Sequence, residues 1–192
     1  MLGDDYEVWS QGYKGSKESL IKGRYIDKRV DITIKYKGEP VAGIAVKFVM
    51  QNYSQNSNNY FENMLGETAN IRCAGCPYFQ IFIIFDKLPY YDKDKKITHW
   101  ETFTEHNVSK YIALSKDDVK SYMHTPDKTL VYVVHIPDPE SDIANAKEYM
   151  EYYLAHNSIS ISDYCYKGFG NNVILNDYET FIKKVYYTIK SL

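Results

Sequence analysis

The sequence predicts an α/β fold, a mixed β-sheet flanked by helices, and three segments carry that expectation. VDITIKY and VAGIAVKFVM, separated by the turn-forming KGEP, read as an antiparallel hairpin. YFQIFIIFD (78–86) is a nearly continuous apolar run of the type buried at the centre of a sheet. Between them Phe61, Met64, Leu65, Thr68 and Ala69 recur at helical spacing, which predicts a helix over 58–72.

The other elements follow in chain order. SKESLIK (16–22) reads as a short helix or helix end with Ser16 at its N-cap. In VDITIKY, Val30, Ile32, Ile34 and Tyr36 alternate with Asp31, Thr33 and Lys35, so the two sets point to opposite faces. QNYSQNSNN is polar and turn-like, and CAGCP ends the helix that follows it. LVYVVHIP (130–137) reads as a second buried strand, 138–156 as a helix, and 177–189 as a final amphipathic helix. Helix, hairpin, helix, buried strand, then strand and helices imply one domain over 1–192, its sheet covered by helices on both faces.

Composition narrows the classes. With 44% hydrophobic and 25% charged residues over 192 positions the chain is ordinary for a globular protein. No run nears the roughly 20 apolar residues that span a bilayer, and MLGDDYEVWS has no basic-then-apolar signal pattern. No membrane association and a cytoplasmic location are expected. Cys73, Cys76 and Cys165 are too few and too uneven for a secreted disulfide framework. The net charge of −2 is uneven: residues 14–37 hold eight basic against three acidic side chains, a local +5, while 138–151 hold five acids and only Lys147. Phosphate binding needs a local basic face, not a basic total.

The chemistry concentrates in the hairpin. A turn near residue 39 sets residue i opposite one near 78 − i, so Asp31 faces Lys47, or Ala45 if the loop shifts the register by two. Lys47 interrupts an apolar strand, and an unpaired buried ammonium costs on the order of several kcal/mol, so it needs a partner or an anion. A plain cross-strand ion pair with Asp31 satisfies that need too. The next helix adds Glu62 and Glu67. If it packs back across the hairpin, two carboxylates and a strand carbonyl form a hard oxygen site suited to Mg2+, beside a lysine able to orient water and offset phosphorane charge.

An Asp opening one strand, then X-X-Lys on the next, then a helix, resembles the PD-(D/E)xK nuclease superfamily, which includes most type II restriction endonucleases. The likeness covers residues 16–86 and rests on Glu18, Val30-Asp31, Ala45-Val46-Lys47 and Asn59-Tyr60-Phe61-Glu62. It implies a restriction-endonuclease-like fold and Mg2+-dependent cleavage of double-stranded DNA, in a restriction-modification context, by a homodimer. It also implies that Asp31, Glu62 and the Val46 carbonyl bind the metal, that Lys47 acts on the attacking water, and that Glu18 is an auxiliary acid. The family's acid two residues before the lysine is Ala45 here. Some restriction enzymes carry that acid on the following helix, and the spacing favours Glu62 over Glu67 for the role. Residues 87–192 would then supply recognition or dimerisation elements. The alternatives are a repair or junction nuclease of the same fold and a DNA-binding domain that has lost activity.

Gln51, Asn52, Gln55, Asn56, Asn58 and Asn59, with Tyr53 and Tyr60 interleaved, form an amide-rich stretch able to bond phosphate or read adenine edges, or simply to cap the next helix. Cys73-Ala-Gly-Cys76 has the spacing of half a zinc site or a redox pair, but no second pair follows, so free thiols are expected. His99 and His106 have no partner motif, and KGFGNN (167–172) lacks a phosphate-loop signature.

Overall fold

The computed structural model describes residues 2–139, 142–155 and 159–192. In chain order the elements are β1 (Tyr6–Ser10), β2 (Ser19–Ile21), β3 (Lys28–Val30), β4 (Ile32–Tyr36), β5 (Glu39–Val49), α1 (Tyr53–Arg72), β6 (Tyr78–Phe85), β7 (Lys87–Tyr91), β8 (Ile97–Thr102), α2 (Glu105–Ser115), β9 (Lys128–His135), α3 (Ala146–Ala155), β10 (Ser160–Ile161), β11 (Val173–Leu175) and α4 (Tyr178–Lys190). The main sheet runs β1-β4-β5-β6-β9-β10, with β11 also on β9. β1, β4 and β5 are antiparallel, whereas β5, β6 and β9 are parallel. The sheet is therefore mixed, and α1 is the crossover that parallel neighbours require.

β6 has parallel partners on both edges and apolar cover on both faces, as its nearly continuous apolar run predicts. On one face Phe82 and Ile84 pack with Met64 of α1 and Val108, Tyr111 and Leu114 of α2. On the other, Phe79 and Ile81 meet Phe181, Val185 and Ile189 of α4, each worth about 1.5–3 kcal/mol when fully buried. The N-cap of α4 is Asp177, whose carboxylate accepts from the Thr180 amide. No helix among the described residues is long and apolar enough to cross a membrane.

Four expectations are corrected. First, 16–22 is not helical: a one-turn 3-10 helix covers Tyr13–Gly15, and Ser19–Ile21 is a strand paired with β3. The SKESLIK pattern is too short to nucleate a helix alone, and burial of Ser19 and Ile21 on one side of the ribbon decides the conformation. Second, the β4–β5 turn is the two-residue Lys37-Gly38, with φ of 50° and 86°, the mirror-image geometry that matches strand twist. It lies nearer the N-terminus than residue 39. The ladder pairs Ile32 with Ile44 and Ile34 with Ala42, so of the two registers expected for Asp31 the structure adopts the one level with Ala45, not Lys47. Third, α1 begins at Tyr53, so most of the amide-rich stretch is helix rather than loop. Fourth, the helix expected over 138–156 starts at Ala146; positions 140, 141 and 156 lie outside the described residues. The β7–β8 hairpin and α2 stand in a segment that the sequence marked only as polar.

Candidate active site

Alternation along β5 puts Ala42 and Ile44 on the α4 face, and therefore Ala45, Lys47 and Val49 on the α1 face. Asp31, level with Ala45, belongs to that same face. It occupies the single-residue break between β3 and β4, where the chain leaves β5 to pair with β2 instead. There its Oδ2 accepts the Val46 amide at 2.7 Å, so the carboxylate replaces a lost ladder bond and is fixed at the strand edge. Val46 is shown as a donor to Asp31, and its side chain packs on the α4 side.

From α1, Glu67 reaches the site. Its Oε2 lies 3.8 Å from Lys47 Nζ, and its Oε1 accepts the phenol of Tyr78 at 2.9 Å. Tyr78 is fully buried. Burial first, then the negative charges of Glu67 and Asp31, push its phenol above the ordinary range, so Tyr78 stays a protonated donor. Lys47, Glu62, Gly66 and Glu67, with Ile26 from the β2–β3 turn and Lys28 from β3, line an open cleft of about 500 Å³.

Each expected residue can now be placed. Lys47, Glu62 and Glu67 line one cleft, and Asp31 is held at the strand edge by the Val46 amide. Glu67, not Glu62, contacts Lys47; Glu62 is exposed at the wall of the same cleft. Glu18 precedes β2, not within a helix, and its backbone carbonyl accepts from Arg29 at 3.4 Å. Ala45 is 1% exposed, packed with Ile21, Val30, Ile71 and Tyr78. That crowding leaves no room for a strand carboxylate and gives a physical reason for an acid on the helix.

The amides are largely engaged in structure. The Asn52 side chain bonds both the N–H and C=O of Tyr91 at 2.9 and 3.0 Å. Gln55 Oε1 accepts from Asn52, Asn56 Nδ2 donates to the Asn52 carbonyl, and Asn58 Oδ1 accepts from Lys110. Gln51 and Asn59 are exposed. Cys73, Cys76 and Cys165 are free thiols, and burial pushes the Cys76 thiol up to about 11, away from reactive thiolate.

Sequence reasoning missed Tyr78, because a tyrosine in an apolar strand reads as core, and Asn70, whose partners lie 44 and 45 residues away. It also missed Asp86, whose Oδ2 meets His135 Nδ1 and Ser162 Oγ, each at 2.9 Å. Because serine and imidazole both address the carboxylate and not each other, this cluster lacks the nucleophile–base contact of a hydrolytic triad.

The donor chemistry fits a hard cation. Asp31 and Glu67 supply carboxylate oxygens on one face, and Mg2+ is commonly held by one or two carboxylates with water and substrate phosphate completing its shell. No group of three or more His, Cys, Asp or Glu side chains placed to hold a metal occurs among the described residues. Comparison with family models, with curated proteins and with solved structures found no match.

Proposed function

We propose that this chain is a Mg2+-dependent endonuclease of restriction-endonuclease-like fold that hydrolyses phosphodiester bonds of double-stranded DNA, acting as a type II restriction enzyme and as a homodimer. The observation that carries the proposal is the Lys47–Glu67–Tyr78 chain, with Lys47 and Glu67 lining an open cleft and Asp31 held on the Val46 amide next to Lys47 in sequence. Magnitude argues against a purely structural role. A pair at 3.8 Å with side chains 28% and 13% exposed is partly screened and contributes below about 1 kcal/mol. A leucine at position 47 would stabilise a β-strand at least as well. An ammonium beside Glu67, open to a cleft that Lys28 also lines, makes chemical sense as a phosphate site.

Asp31 and Glu67 would hold the Mg2+. The ion would supply positive charge against the negative charge that develops on the phosphate oxygens. Lys47 orients the attacking water and offsets charge on the phosphorane. The Val46 amide fixes Asp31, and the Tyr78 phenol fixes Oε1 of Glu67 so that Oε2 stays toward Lys47. Lys28 at the cleft wall adds charge for the flanking backbone.

Digestion of supercoiled plasmid with and without Mg2+ tests the proposal. Discrete fragments that vanish with chelator, with Asp31→Ala and with Lys47→Ala, are expected. Cleavage that survives Lys47→Ala ends this assignment. Cutting confined to forks or junctions would instead mark a structure-specific nuclease. Salt-dependent DNA binding without Mg2+-dependent cutting would mark a DNA-binding domain that has lost activity.

A further inference from the structure

The turn between β2 and β3 is built with more care than a connection needs. One buried side chain on α1, Asn70, closes it: its Oδ1 accepts the amides of Tyr25 and Ile26 at 2.9 and 3.3 Å, and its Nδ2 donates to the Ile26 carbonyl at 2.7 Å. The Arg24 amide donates to the Asn70 carbonyl at 2.8 Å. Gly23 sits so tightly in this clamp that a Cβ there would lie 2.1 Å from the Ile26 carbonyl oxygen and 2.2 Å from Asn70 Nδ2. This rigid frame presents Tyr25 and Ile26 outward, 84% and 63% exposed.

Two adjacent apolar side chains at a rigid tip contribute nothing to the core, so their placement calls for a partner. The charge around them says which kind. Lys22, Arg24 and Arg29 are exposed on the same ribbon and Lys28 lines the cleft together with Glu62 and Glu67, while the ribbon's own Asp27 faces back to the Gly23 amide at 3.4 Å. Ile26 itself borders the cleft that holds Lys47.

We propose that the Tyr25–Ile26 tip is a DNA-docking wedge that enters a groove of the duplex whose phosphate lies in the cleft, with the flanking Lys and Arg side chains on the backbone. The substrate class rests on the nuclease reading above; the geometry of the tip does not. Apolar wedges of this kind insert at base steps and part them, and a frame already ordered loses little conformational freedom on binding.

The test is fluorescence anisotropy of a labelled mixed-sequence duplex, with Ca2+ replacing Mg2+, for the wild type, Tyr25→Phe and the double variant Tyr25→Ala/Ile26→Ala. Because both side chains are exposed, thermal melts should match wild type, which separates lost docking from lost folding. Stacking on a base is worth enough that the double variant should bind at least about tenfold more weakly, while Tyr25→Phe stays near wild type. Arg24→Ala should lower the salt slope of binding by about one. Permanganate reactivity of thymines, raised by the wild type and not by the double variant, reports the parted step. Binding by the double variant within twofold of wild type overturns the wedge, as does an effect confined to self-association in sedimentation. The two readings fail separately. Lys47-dependent cleavage with a tip-independent affinity removes only the wedge. Tip-dependent binding without Mg2+-dependent cleavage removes only the nuclease.

Discussion

Glu67→Gln is the substitution that asks most of the proposed site. The amide keeps an oxygen for the Tyr78 phenol and removes the charge facing Lys47, 3.8 Å away. The pair lost is partly exposed, so stability should fall by less than about 1 kcal/mol, a melting shift of at most about 4 °C for a chain of this size. Activity should respond on another scale. Removing one group that supports developing charge typically costs about 100- to 1,000-fold in turnover, and Glu67 would also be a metal ligand. Glu62→Gln, at an exposed position of the cleft wall, should stay within about twofold of wild type, as exposed substitutions do. Single-turnover cleavage of plasmid over a Mg2+ titration, beside thermal melts of both variants, reads the two effects independently. An inert Glu62→Gln with an active Glu67→Gln would refute the inference from the Lys47–Glu67 contact and return the acid to position 62.

Three further outcomes follow from local geometry. Gly23→Ala forces its methyl into the Ile26 carbonyl and Asn70; breaking that clamp, with its hydrogen bonds at about 1 kcal/mol each, should lower urea-unfolding stability by about 2–3 kcal/mol, and a neutral result would deny the clamp. Ala45→Glu places a carboxylate in a site 1% exposed and should destabilise by about 3 kcal/mol or more, without rescuing Glu67→Ala; recovered cleavage would show that the strand can hold the acid after all. In alkali, burial pushes the Tyr53 and Tyr91 phenols up to about 12 and those of Tyr78 and Tyr111 up as well. Folded values raised above the unfolded value near ~10 mean that this stabilisation is intact below pH ~10 and lost progressively as pH rises through the window toward 12. Phenolate absorbance should therefore lag and then rise together with loss of circular dichroism; smooth ionisation near 10 without unfolding would contradict the burial.

Periodicity was enough for the hairpin, the buried β6, the body of α1 and α4, because each writes its burial pattern into neighbouring residues: period two for strands, 3.6 for helices, unbroken apolar runs for a central strand. It was also enough to single out Lys47, an ammonium on an otherwise apolar strand. It failed at Ser16–Lys22, where seven residues are too few for a period to speak and pairing with β3 decides.

What the sequence by itself determined is the inventory: Asp31 and Lys47 on a hairpin, Glu62 and Glu67 on the helix after it. Which of those acids meets the lysine was settled by tertiary structure. The Lys37-Gly38 turn sets the register, the packing of Met64 and Ile71 sets the rotation of α1, and together they bring Glu67 to Lys47 while leaving Glu62 at the rim. Tyr78, Asn70 and the Tyr25–Ile26 tip belong to that second kind of information. Their roles depend on partners far away in sequence, and no local pattern encodes the distance between two segments that only the folded core brings together.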